Sequence, residues 1–136
     1  MKKMLCLLTC VVFVFALSAC SGGINGDEAK VYINDFLAEV EKGDYAAAKA
    51  YLHPDRPANL QAFFEGVATE GDVDFSKISV EKYTNVSSAI YDSSVGGAKY
   101  ALTMEVDASG KTIEMEIEIV RNDNGYGIYN LDIDPQ

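Results

Sequence analysis

Thr112-Ile113-Glu114-Met115-Glu116-Ile117-Glu118-Ile119 alternates polar and aliphatic side chains without a break. A period of two puts the aliphatic residues on one face of a strand and the carboxylates on the other. The stretch therefore reads as a half-buried antiparallel strand, apolar on one side and wet on the other. The same alternation flanks it. Upstream, Tyr100, Leu102, Met104 and Val106 alternate with Ala101, Thr103, Glu105 and Asp107; downstream, Tyr129, Leu131 and Ile133 alternate with Asn130, Asp132 and Asp134. Ser109-Gly110 as a two-residue turn sets Glu105 opposite Glu114 and Met104 opposite Met115. Asp123-Asn124-Gly125 as a three-residue loop with a left-handed Gly125 sets Ile119 opposite Tyr129 and Glu116 opposite Asp132. A two-residue Asn-Gly turn would set Ile119 opposite Asn130, so matching of faces favours the longer loop. An earlier strand or broken pair spans about Ile78 to Asp92, and its alternation slips around Val86 to Ser88, where a bulge is expected.

Before Ile78 the period is 3.6. Ala29, Tyr32, Ile33, Phe36, Leu37 and Val40 form an amphipathic helical stripe. Asn25 and Glu28 have capping-box spacing, and Gly43 is placed to end the helix. Asp44 can cap a second helix to about Leu52, stopped by Pro54. A third, about Ala58 to Ala68, carries Leu60, Phe63, Phe64 and Val67 on one face. Helices first and a meander after predict one α+β domain: N-terminal helices packed on one face of a curved antiparallel sheet of four strands or more.

The first residues are of another kind. Lys2 and Lys3 precede an apolar run from Met4 to Leu17, too short to span a bilayer as a mature helix, which ends in Leu17-Ser18-Ala19-Cys20. This resembles the bacterial lipoprotein signal, which implies cleavage before Cys20 and a diacylglycerol on its sulfur. The expected organisation is a signal peptide over 1–19, lipidated Cys20 with a short tether over 20–26, and the α+β domain over 27–136. Stable membrane attachment through lipid on Cys20 follows, because two or more acyl chains hold where one does not. The site would be extracytoplasmic: the outer face of the cytoplasmic membrane, or an outer membrane in a host that has one. The other two cysteines, Cys6 and Cys10, lie inside the signal, so the mature chain keeps no thiol for a disulfide, a metal or a nucleophile.

Losing Lys2 and Lys3 leaves 9 basic residues against 21 acidic ones, so the net charge moves from −10 to −12. Such a surface disfavours nucleic acid and anionic headgroups. The expected outer sheet face concentrates the charge in Glu105, Glu114, Glu116, Glu118, Asp132 and Asp134. A solvated face that resists strand pairing is the plain reading. A docking surface for a basic protein, a cationic peptide or divalent ions is the sharper one, and it leaves open a further function as inhibitor or sink for a cationic protein or peptide. Two such faces meeting would bury like charges, which predicts a monomer.

The run Phe36-Leu37-Ala38-Glu39-Val40-Glu41-Lys42-Gly43-Asp44-Tyr45-Ala46-Ala47-Ala48-Lys49-Ala50-Tyr51-Leu52 resembles the opening of nuclear transport factor 2-like domains, the superfamily that includes ketosteroid isomerase. Gly125-Tyr126-Gly127-Ile128 is similar to that family's approach to its last strand, with tyrosine where tryptophan is usual. The resemblance implies a conical fold in which a curved sheet wraps the helices and can leave a pocket at its open end. Tyr32, Phe36, Tyr51, Phe63, Tyr100 and Tyr129 could line it, suiting a small apolar or aromatic ligand, although at helical and strand spacing plain core is the plainer reading of such residues. The isomerases carry an oxyanion-binding tyrosine where this chain has Phe36, and their general-base aspartate has no clear counterpart here. A small-molecule enzyme is thus the second reading, behind a non-catalytic envelope binding module; no cofactor or metal is expected. The single histidine, His53, could act as a general base with Asp55 or Arg56. Its plainer reading is a helix-ending residue whose charge suits the C-terminal dipole.

Overall fold

The computed structural model describes residues 23–136. The expected signal segment and Cys20 lie outside the described residues. The first helix, α1 (Gly26–Glu41), is capped as its sequence requires: the Asn25 side chain accepts from the backbone N–H groups of Asp27 and Glu28, and Ala29, Ile33, Phe36, Leu37 and Val40 are its buried stripe. The chain leaves it through Gly43, whose φ of +74° is open to glycine at no steric cost.

The second helix is shorter than expected. α2 (Tyr45–Ala48), capped by Asp44, tightens at once into a 3-10 turn over Lys49–Tyr51. Pro54 forbids continuation, and so short a segment gains little from α-helical bonds. The third, α3 (Leu60–Gly71), begins two residues later than the apolar pattern suggests and runs three further, because Asn59 supplies the N-cap by accepting from Ala62 N–H.

Four strands follow, β1 (Ile78–Asp92), β2 (Gly97–Ala108), β3 (Lys111–Asn122) and β4 (Gly125–Asp134), antiparallel in sequence order. The fold is the expected α+β arrangement in one domain. Across β2 and β3 the register is the one read from Ser109-Gly110, with Glu105 facing Glu114 and Met104 facing Met115. Both turn residues take positive φ (51° and 92°), the mirror-image turn that matches strand twist.

Within the sheet, the β3–β4 turn and the course of β1 differ from expectation. Asn122 pairs with Gly125, so the last turn has two residues, Asp123 and Asn124, rather than three. Its phase error is repaired inside β4: Glu118 faces Asn130 while Ile119 faces Ile128, which makes Tyr129 a bulge and gives Ile128 the core position expected of Tyr129. The other correction concerns β1, which is regular from Asn85 to Ala89, where the bulge was expected. Extra residues occur instead at Glu81, at Thr84, and at Ile90 and Tyr91, which together oppose Ala98 alone. The slip at Val86–Ser88 has a different cause: Val86 faces the helix side but is half exposed there, so the apolar pattern lapses where cover is missing.

The core lies between the helices and one sheet face. Ile33, Phe36, Phe64, Leu102, Met104, Ile113, Met115 and Ile117 are fully buried in it. The fold also reaches back before α1, since Ile24 packs against this core.

Candidate functional site

Both tips of the sheet's outer hairpins, the turn after β1 and the turn after β3, lie at one end, where Asn122 Nδ2 donates to Val95 O (2.9 Å). Chemistry-bearing side chains gather there. Leu52 forms a parallel bridge to Ile128, and His53 N–H donates to Ile128 O (2.9 Å), so the segment after the 3-10 turn is laid along the last strand. Gly127 permits this approach, for a Cβ there would sit 2.5 Å from His53 N.

His53 is buried, and its role differs from the expected helix-ending charge. Asp55 N–H donates to Nδ1 (3.0 Å), which therefore carries the lone pair; Nε2 faces Asn122 Oδ1 (3.0 Å) and Gly125 O (3.1 Å) and donates its proton to them. The ring packs edge-on against Tyr129 at 5.4 Å, and the Arg56 guanidinium lies 4.4 Å over the other ring. Asp55 completes the network: its carboxylate accepts from Asn122 Nδ2 (3.1 Å) and Asn124 Nδ2 (3.0 Å). Asp55 does stand beside the histidine, as expected. Yet both ring nitrogens are occupied by the protein's own groups and the side chain is sealed from solvent, so the arrangement is a latch between the 53–56 loop and the β3–β4 turn.

Among the described residues the six aromatic side chains weighed as pocket lining fall in three places. Phe36 and Tyr100 are core residues, with Phe36 6.3 Å from the rings of Phe64 and Tyr51. Tyr32 and Tyr51 form a cluster with Tyr126, whose place the sequence reading missed: Tyr32 sits 5.0 Å from each ring, and its hydroxyl donates to Tyr51 O (2.9 Å). Burial pushes the Tyr32 hydroxyl up to about 12, with Tyr126 and Tyr51 adding to the effect. Burial also raises Tyr126, while the nearby Arg121 charge pulls the other way. Phe63 and Tyr129 line a shallow groove of about 190 Å³ with Arg56, Leu60 and Leu131. A second groove, about 480 Å³ between Tyr45, Lys49 and Asn59, is open to solvent.

The acidic face forms as read. Register places Glu105, Glu114 and Asp134 in one cross-strand row and Glu116 and Asp132 in the next. Lys82 reaches Glu105 at 3.8 Å and Asn130 donates to Glu118 at 3.0 Å. Among the described residues no cation pairs with Glu114, Glu116, Asp132 or Asp134, all exposed. Carboxylates two residues apart along a strand, about 6.8 Å, repel by roughly 0.6 kcal/mol in water, which a well-cored sheet tolerates. No group of metal-ligating side chains occurs among the described residues, nor a helix long and apolar enough to cross a membrane.

No family model and no curated protein matches the chain.

Proposed function

We propose that this chain is a lipid-anchored interaction module of the cell envelope, held through Cys20, built on a nuclear transport factor 2-like cone and without catalytic work of its own. The observation that carries the reading is the state of the interior. Phe36, Phe64, Met104, Met115 and Ile117 fill the space between helices and sheet and are each fully buried, where an enzyme of this shape would keep a chamber lined by polar groups. The one histidine is committed to the latch. That leaves the outer sheet face, with its ordered rows of carboxylates, as the working surface, and a cationic protein or peptide as the partner class its charge fits. Three bulges along β1 and the charges on β4 hinder edge-to-edge pairing and favour a monomer.

The test is metabolic labelling with palmitate followed by membrane fractionation. The parent chain takes label and sediments with membranes, whereas Cys20→Ser takes none and is released. A labelled, membrane-bound Cys20→Ser protein contradicts the reading. Charge reversal of Glu114, Glu116 and Glu118 to lysine should leave anchoring intact and abolish salt-sensitive binding of an arginine-rich peptide.

A further inference from the structure

The large apolar side chains left exposed among the described residues are Val31, Val86, Ile90 and Tyr91, all on α1 or β1, and the two most exposed, Ile90 at 77% and Tyr91 at 69%, are adjacent. Their exposure is built in by the backbone. At this bulge two residues stand opposite Ala98 alone, so strand alternation, which would have turned one of the pair inward, is broken. A bulge beside a hairpin tip is a common way to re-aim side chains, and the isoleucine and tyrosine at this one are both left in solvent.

The position of this pair relative to the chain's origin says what covers it. Gly23 lies against Ile90: a Cβ on Gly23 would be 3.6 Å from Ile90 Cγ1. Three peptide steps separate Gly23 from Cys20, a reach of no more than about 11 Å. A lipid on Cys20 therefore brings the bilayer surface to the β1–β2 hairpin before any other part of the sheet. We propose that Ile90 and Tyr91 dip into the bilayer interface and set the orientation of the anchored domain; this rests on the anchoring reading above.

The chemistry of the hairpin fits that occupant. Tyrosine has an apolar ring and a polar tip, the combination that settles at headgroup level, and isoleucine favours the acyl boundary below it. From Ile90 to Ala98 the only charge is Asp92. Lys99 Nζ binds its carboxylate at Oδ2 (2.9 Å), and the Ser94 N–H and hydroxyl both donate to Oδ1, so the tip approaches lipid without an unpaired charge. Asp27 and Glu28 at the start of α1 remain acidic, which makes zwitterionic rather than anionic lipid the fitting surface. With this end on the membrane, the Ser109-Gly110 turn, at the sheet's other end, points away from it, and the carboxylate rows between stay accessible.

The chain has no tryptophan, so one introduced at Tyr91 reports its own surroundings. The full-length lipidated protein carrying Tyr91→Trp is reconstituted in phosphatidylcholine vesicles with brominated acyl chains, and floated. The expected result is a blue-shifted emission quenched about threefold more than that of a Thr112→Trp control, since interfacial side chains sit roughly 5–10 Å into the headgroup and acyl boundary. Ile90→Trp serves as a second reporter and should behave alike. Floating protein with an unquenched Tyr91→Trp overturns the proposal while leaving the anchor standing. Protein that does not float removes the anchor and the proposal with it. A blue shift without bromolipid quenching that grows with protein concentration assigns the patch to a second copy of the chain, and equally overturns it.

Discussion

The two hairpins that share one end of the sheet are built to opposite purposes. The β3–β4 turn is tied down: His53, Asp55, Asn122 and Asn124 exchange hydrogen bonds across it, and Tyr129 and Arg56 stack beside it. In the β1–β2 hairpin the first strand has three extra residues, no buried residue after Tyr83, and exposed Ile90 and Tyr91 near its end. One end of one sheet thus joins a turn where buried polar groups must be satisfied to a strand, β1 after Tyr83, where no side chain is buried. The contrast teaches that stability and availability for contact are separated by strand, not by end.

The largest expected effect falls on the latched side. His53→Ala removes a buried ring that Asp55, Asn122 and Gly125 all bond to, so that Asp55 N–H and Gly125 O lose this partner and Asn122 Oδ1 keeps Asn124 N–H alone; the loss should be about 3 kcal/mol in urea unfolding, with an unchanged slope. A loss under about 1 kcal/mol would mean that the latch is incidental. A smaller effect belongs to the tyrosine cluster beside it. Tyr32→Phe deletes one hydrogen bond to Tyr51 O and should cost about 1 kcal/mol at neutral pH. Its pH dependence is the more telling part. The folded hydroxyl titrates near 12 against an ordinary 10.0, so the folded chain holds this proton where the unfolded chain has lost it. The stability that this group contributes is fully present below the ordinary value and drains away as pH rises toward the folded one. Alkaline unfolding followed by circular dichroism should be less steep over that window in Tyr32→Phe than in the parent. The smallest effect is expected on the open hairpin: Ile90→Ser should stay within about 0.5 kcal/mol, because an exposed side chain gives up little on replacement. A larger loss would show Ile90 to be core, and would erase the contrast between the hairpins.

How far the sequence led depends on how local the governing interactions are. The β2–β3 register was legible because a two-residue turn and strict alternation act within a few neighbouring residues, and the Asn25 and Asp44 caps for the same reason. The β3–β4 turn was misjudged because two solutions, a longer loop or a short turn with a bulge at Tyr129, bring the same outer residues together: Glu116 faces Asp132 in either. The His53 network was out of reach, since its partners lie 69 and 72 residues away and are ordinary turn residues by composition. Gly127 was the available signal. A glycine one residue before the core position of Ile128 marks a close backbone approach, and His53 is what approaches. Tyr126, likewise, gained its meaning only when the last strand was laid beside α1.

Native-state hydrogen exchange on the two hairpins tests the account most directly, because it reads local opening at each end without a substitution. Amides of Asp55, Asn124 and the β3–β4 turn should exchange only through global unfolding, and those from Val86 to Gly97 through local opening at far lower free energy. Equal protection of the two hairpins, or a β3–β4 turn that opens first, would contradict it.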